Sequence, residues 1–258
     1  MITSLANAQM KNIMQLNAKA RVRREQDVFV AEGMKMFLEA PPSSVQKVYV
    51  SEHFIMKEND RDIIEKYPYE IVEDDVFRKV CDTKTPQGIL TVLKQFHYSE
   101  KDIYGGENPL LLLLEGVQDP GNLGTMIRTS EGAGVSGIIM DRNTADIYNP
   151  KVIRATMGSV YRMPFLYVDD LHACIRRLKE EGICVYASHL SGEELYTQKN
   201  YRNKTSFLIG NEGNGLTRET AELADAYIKI PMNGQVESLN AAIAAALLLY
   251  EADRQRRM

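Results

Sequence analysis

Residues 110–140, LLLLLEGVQDPGNLGTMIRTSEGAGVSGIIM, decide the fold. The opening run of leucines is too short for a membrane span and reads as a buried strand. Residues 118–124 form a turn rich in Asp, Pro, Gly and Asn, and 123–133 are compatible with a helix. A second apolar run, 137–140, completes a strand–turn–helix–strand unit, in which function gathers in the turn after the first strand. With a helix starting near Asn122, Gly124 lies one turn before Arg128 on the same face. Helical side chains lean toward the N-terminus, so the guanidinium covers the bare patch left by the glycine. The unit therefore offers a positive fork beside a concavity.

The chain around it has 258 residues, enough for two modest domains or one large one. Its net charge of −4 requires that any nucleic-acid site be a local basic patch. The cysteines (Cys81, Cys174, Cys184) are odd in number and lack metal-type spacing, which points to a reducing cytosol and to small apolar roles. No positive–apolar–small-residue layout opens the chain, and the longest apolar run, 241–250, is about half of what a bilayer needs. The expectation is a soluble cytoplasmic protein without membrane contact. Four scattered histidines (His53, His97, His172, His189) give no reason to expect a metal.

Residues 1–97 read as a small α/β domain. Residues 5–20 have helical periodicity, and Lys11, Lys19, Arg21, Arg23 and Arg24 all precede the first acidic residue, Glu25. Such a run is either a solvated helix end or a phosphate-contacting edge. Strands are expected at 28–30, 45–50 and 89–93, the last preceded by the turn TKTPQG at 83–88. Residues 98–109 hold two adjacent glycines, several charges and little to bury, and read as a linker. From 110 to 258 strands and helices alternate: helix 149–158, helix 169–181, strand 183–188, strand 206–210, helix 216–224, strand 227–231 and a long helix from about Ser238. That alternation implies a mostly parallel sheet covered on both faces.

Gly132-Ala133-Gly134-Val135-Ser136-Gly137 matches G-x-G-x-x-G by letters, but it closes a helix and leads into a strand, the reverse of a dinucleotide site. The loop LIGNEGNGL at 208–216 is more informative. Three glycines, two asparagines and one carboxylate follow a strand directly, which lets backbone approach a ligand. The third stretch, 230–257, passes from a strand through a glycine-bearing turn to an alanine-rich helix, with Ser238 as a plausible N-cap. Its small residues suit close packing against the sheet or against a second subunit. Loops 118–124, 211–215 and 232–240 each follow a strand of one parallel sheet, so they open on one edge and together line one pocket.

The N-L-G-x-x-x-R motif from Asn122 to Arg128, the loop IGNEGNGL at 209–216 and the run IPMNGQVESLNAAIAAALLLYE at 230–251 resemble, in order and spacing, the three motifs of the SpoU/TrmH family. These are RNA ribose 2′-O-methyltransferases of the SPOUT class. The N-terminal part resembles that family's ribosomal-protein-like RNA-binding domain, on the basic residues 19–24 with FVAEG at 29–33, and on TKTPQGIL at 83–90. The resemblance implies a substrate domain at 1–97, a linker at 98–109 and a methyltransferase domain at 110–258. That last domain would carry a trefoil knot, which no sequence-first argument proposes unaided.

By similarity the protein is a homodimer through its C-terminal domain. S-adenosylmethionine would touch backbone at Gly210, Ile230 and Leu239, with Asn211, Met232 and Asn240 nearby. The implied RNA contacts are Lys19, Arg21, Arg23, Arg24 and Lys84. The implied reaction is in-line attack of a ribose 2′-oxygen on the sulfonium methyl, so the protein positions two partners and handles one proton. The family assigns Arg128 to the 2′-hydroxyl, often as base. A guanidinium stays protonated far above neutral pH, which favours holding the adjacent phosphate and stabilising the alkoxide. Asn122, Glu212, Ser238 and Asn240 would orient Arg128 and the ribose. The expected substrate is 23S ribosomal RNA. Alternatives are transfer RNA, a base rather than a ribose, or an RNA-binding protein of this fold without activity.

Overall fold

The structure, a computed structural model, describes residues 1–57, 61–189, 192 and 194–258. The chain forms two compact units, Met1–Phe96 with Asp146–Tyr161, and His97–Ala145 with Arg162–Met258.

The first unit is built on strands β1 (Val28–Glu32), β2 (Val45–Ser51), β3 (Tyr69–Val72) and β4 (Ile89–Lys94), in the order β1-β4-β2-β3. β4 is antiparallel to both neighbours, and β3 joins β2 in parallel. The two-residue period of a strand divides the core. Tyr49 and Leu90 face Met10, Ile13 and Leu16 of the helix Ala8–Ala18, while Val48, Val50 and Ile89 face Phe37 and Ile64. The single helix expected over 5–20 ends at Ala18. Lys19 is extended, at φ −127°, and a second helix, Ala20–Gln26, follows.

Residues 146–161, which the sequence reading places in the second domain, pack with this first unit. Asp146 accepts from Arg23 at 2.6 Å, Tyr148 lies 4.6 Å from Phe29 between ring centroids, and the Tyr161 hydroxyl donates to the Met36 carbonyl at 2.9 Å.

The second unit is a parallel sheet of β5 (Leu110–Leu114), β6 (Gly137–Asp141), β7 (Phe165–Val168), β8 (Cys184–Ser188), β9 (Glu194–Leu195), β10 (Thr205–Ile209) and β11 (Ala226–Lys229). Its order is β7-β6-β5-β10-β8-β11-β9, and every pairing is parallel. The leucine run is central, flanked by β6 and β10 and buried along its whole length, as a strand covered on both faces must be. Leu111 and Leu113 pack toward Ile175 and Leu178 of the helix Leu171–Glu180, and the helix Ala241–Arg256 packs on β10 and on the helix Pro120–Gly132. β3, β7 and β9 were not anticipated.

The stretch read as a linker is also part of this unit. It carries the helix Glu100–Tyr104, whose buried Ile103 lies over Gly137, where an added Cβ would come within 2.8 Å of it. No helix among the described residues is long and apolar enough to cross a membrane.

Candidate functional site

Because every strand of the second sheet runs the same way, the segments after β5, β8, β10 and β11 emerge on one edge. There the segments after β8, β10 and β11 line a cleft of about 350 Å³, within the ordinary range for small-molecule sites; the segment after β5, expected to line it, instead adjoins it through Glu212. Its apolar lining comes from Ile209, Leu216, Ile230, Met232 and Leu239 with Ala241 and Ala244; the rest is loop backbone and polar side chains.

Two glycines shape the loop after β10. A Cβ on Gly210 would fall 2.2 Å from the Gly215 carbonyl carbon and the Leu216 nitrogen, so only glycine lets these backbone segments meet. Gly215 has φ +69° and closes the loop through paired bonds with Asn211, at 3.0 and 2.9 Å. The Asn211 side chain accepts from the amides of Gly213 and Asn214 and donates to the Gly116 carbonyl at 2.8 Å.

Glu212 joins this loop to the one after β5. Its carboxylate accepts from the amides of Gln118 at 3.1 Å and Asp119 at 3.0 Å, and from Asn122 Nδ2 at 3.0 Å. Burial would raise its pKa, but the hydrogen bonds from Asn122 and from backbone amides outweigh burial and hold the carboxyl below its ordinary value. Asn240 Nδ2 donates to Asn122 Oδ1 at 2.8 Å, and Asn240 Oδ1 accepts from Ala242 and Ile243, capping the last helix. Every donor in the string therefore points toward Glu212, which fixes both amide orientations. The helix N-cap is thus Asn240 rather than Ser238, because 232–239 stay non-helical, with Met232, Glu237, Ser238 and Leu239 lining the cleft.

Of the residues expected at the cofactor, Gly210, Asn211, Ile230, Met232 and Leu239 all line the cleft, as do Glu212 and Ser238. Asn122 and Asn240 adjoin it through Glu212. Arg128 is not part of the lining. It sits nearly two turns after Asn122 on the helix Pro120–Gly132, exposed, with no ion pair or hydrogen bond among the described residues. Ser188, the last residue of β8, and His189 just after it also line the cleft and were missed, although a strand expected in the same parallel sheet already placed them on this edge.

In the first unit Lys19, Arg21, Arg24 and Lys84 are exposed, with Arg21 paired to Glu25. Arg23 corrects the expectation. It is 3% exposed, donates through Nε and Nη2 to Asp146, and reaches the carbonyls of Leu16 and Asn17 through Nη1, so no donor faces solvent for a phosphate.

A parallel sheet whose edge gathers glycine- and asparagine-bearing loops around a nucleoside-sized cleft defines a cofactor-binding α/β domain. Residues 109–250 match the SpoU rRNA Methylase family, and residues 7–91 match the MRM3-like substrate binding domain. The chain is 33% identical to the 23S rRNA (guanosine(2553)-2'-O)-methyltransferase RlmP of Bacillus subtilis (strain 168), over 96% of this chain and 97% of the relative. The AdoMet-bound rRNA methyltransferase from Sinorhizobium meliloti superposes with a TM-score of 0.86 at 33% identity, covering 98% of this chain and 97% of that one. AviRb from Streptomyces viridochromogenes, in complex with AdoMet, gives 0.89 at 25% identity over 97% and 98%. The chain belongs to the SpoU rRNA methylase family. It is an RNA 2′-O-ribose methyltransferase of that family, whose solved homologues bind AdoMet, and the family implies the trefoil knot.

Proposed function

We propose that this protein methylates the ribose 2′-hydroxyl of a guanosine in 23S ribosomal RNA, in the cytoplasm and as a homodimer. The observation that carries the reading is the Glu212 carboxylate. It ties the loop that forms the cleft to the start of the helix that presents Arg128.

Bound S-adenosylmethionine supplies an electrophilic methyl group. The backbone at Gly210, Ile230 and Leu239, with Asn211 and Met232, would hold it against the apolar lining. The string Asn240–Asn122–Glu212 ties the loops to one another through the protein's own side chains, which favours a preorganised site. Arg128 is an exposed cation free to take a planar anion. Its role is to grip the phosphate next to the target ribose and stabilise charge developing on the 2′-oxygen, while the proton leaves to phosphate or water. Ser238, in the cleft wall, orients the ribose.

Lys19, Arg21, Arg24 and Lys84 are the RNA-facing cations of the substrate domain. On the last helix Ile243, Leu247 and Tyr250, 50%, 37% and 49% exposed, form one stripe beside a shallow groove, and a second copy of the chain would cover it.

The experiment is a comparison of 23S rRNA from strains with and without the protein, mapped by nuclease digestion and mass spectrometry. One missing 2′-O-methylguanosine, restored in vitro by the purified protein and S-adenosylmethionine, is the expected result. An unchanged 23S rRNA with a lost transfer-RNA methyl would overturn the assignment of substrate. Arg128→Lys keeps the charge and loses the fork, so near-normal turnover would count against both phosphate gripping and a base role.

A further inference from the structure

A second carboxylate at the same edge has no part in the reading above. Glu115 follows β5 directly and is half-buried, and its own amide donates to the Ile209 carbonyl at 3.0 Å. Its side chain reaches across to the far end of the cleft loop. Oε2 accepts from the Thr217 amide at 2.8 Å; Oε1 accepts from the Thr217 hydroxyl at 2.7 Å and from the Thr220 hydroxyl at 2.5 Å. Thr220 is fully buried, and its oxygen also meets His172 Nε2 at 2.8 Å. A threonine has one hydroxyl proton, and here it goes to the carboxylate. The imidazole therefore donates, and His172 carries its proton on Nε2.

The result is a directed string, His172 to Thr220 to Glu115, and the same carboxylate holds Thr217, the residue after Leu216 in the cleft wall. Together with Gly116 accepting from Asn211, and Gln118 and Asp119 donating to Glu212, it clamps the cleft loop at its beginning, middle and end. Only the last clamp depends on a carboxylate outside the cleft.

We propose that Glu115 is a positioning residue for the cofactor: it holds Thr217, and through it Leu216 and the Gly213–Gly215 backbone, in the binding shape. The inference rests on the reading of this cleft as the S-adenosylmethionine site. In Glu115→Gln the amide NH2 replaces one acceptor and opposes either the Thr217 amide or the two hydroxyls. The loop then samples shapes that do not bind, which lowers apparent affinity by the fraction lost and leaves the chemistry of the bound state unchanged.

The test is calorimetry with S-adenosylmethionine and steady-state kinetics on the full chain, with amide hydrogen exchange read across 211–217. Glu115→Gln and Thr217→Val each raise Kd and KM for the cofactor about tenfold, as expected for lost bonds to a charged acceptor. Both leave kcat at saturation and KM for RNA near wild type and speed exchange in this loop alone. Thr217→Ser, which keeps the hydroxyl, restores the wild-type affinity. Unchanged cofactor Kd in Glu115→Gln, or a fall in kcat with KM unmoved, overturns the proposal. Gly210→Ala separates the two ideas: if it leaves cofactor affinity intact, the reading of the cleft has failed. If it abolishes binding while Glu115→Gln does nothing, only the role of Glu115 has.

Discussion

Gly210→Ala is the most demanding test of the cleft, because a single methyl group acts on backbone alone. The added carbon would sit 2.2 Å from the Gly215 carbonyl carbon and the Leu216 nitrogen, and 2.3 Å from the Gly215 oxygen. No rotamer relieves a clash of Cβ with main chain, so the loop must move outward by an ångström or more. Moving it strains or breaks the two Asn211–Gly215 bonds, at about 1 kcal/mol each net. Forced overpacking adds about 1–3 kcal/mol. Part of this relaxes into solvent at the open edge, so a cost of about 2–4 kcal/mol is reasonable, or roughly 30- to 1,000-fold in cofactor Kd. Calorimetry with S-adenosylmethionine reads it, with a thermal melt to show that the sheet is intact. Gly215→Ala is the control. Its methyl would meet nothing within 4 Å, so it bears only the left-handed backbone at φ +69°, about 1–2 kcal/mol. A Gly210→Ala protein that binds within threefold of wild type would refute the claim that the cleft needs this backbone approach.

Other consequences are open to measurement. Arg23→Ala leaves Asp146 without its buried partner and should cost about 3–5 kcal/mol of stability; a melting temperature unchanged by the substitution would return Arg23 to the RNA-facing set. Glu212 has a lowered pKa in the folded protein, so its stabilisation is full above the ordinary value of 4.5 and is lost as pH falls through the lower, folded value. Loop protection and cofactor binding should therefore persist at pH 5 and fade in stronger acid, and Glu212→Gln should remove that acid limb. On the helix of Arg128, Glu131 lies three residues on and is engaged by Arg162. Arg162→Gln removes that ion pair and strengthens the pull of Glu131 on Arg128, a pair worth about 0.2–0.5 kcal/mol, so kcat/KM should fall about twofold at low salt and recover when Glu131→Gln is added. Leu247→Lys, on the exposed stripe of the last helix, should shift sedimentation toward a monomer; a dimer that persists would place the subunit contact elsewhere.

How much of this was legible depends on how local each cause is. Leu110–Leu114 announced a strand buried on both faces because burial on two sides forbids alternation, and that needs no knowledge of neighbours. The loop at 209–216 announced itself through glycines that bare backbone requires, and the structure shows the requirement as a 2.2 Å collision. Both signals are written into the residues that obey them.

Elsewhere the cause lies far along the chain. Ile103, one apolar residue in a polar stretch, is buried because Gly137 lacks a side chain, and composition alone could not pair them. The helix expected over 216–224 shrinks to Arg218–Ala221, whose preceding residue, Thr217, is held by Glu115, a residue about a hundred positions earlier. Arg23 was counted among phosphate-binding charges, yet it stands seven residues after Leu16 and its guanidinium turns back onto the carbonyls of Leu16 and Asn17. The same distinction orders the site itself. The groups expected to touch the cofactor lie on short loops whose composition betrays them, whereas Glu115, Thr220 and His172 hold those loops from three separate elements. A carboxylate at a strand end looks like any polar residue until the fold shows what it faces, so positioning residues are the part of a site that one sequence conceals best.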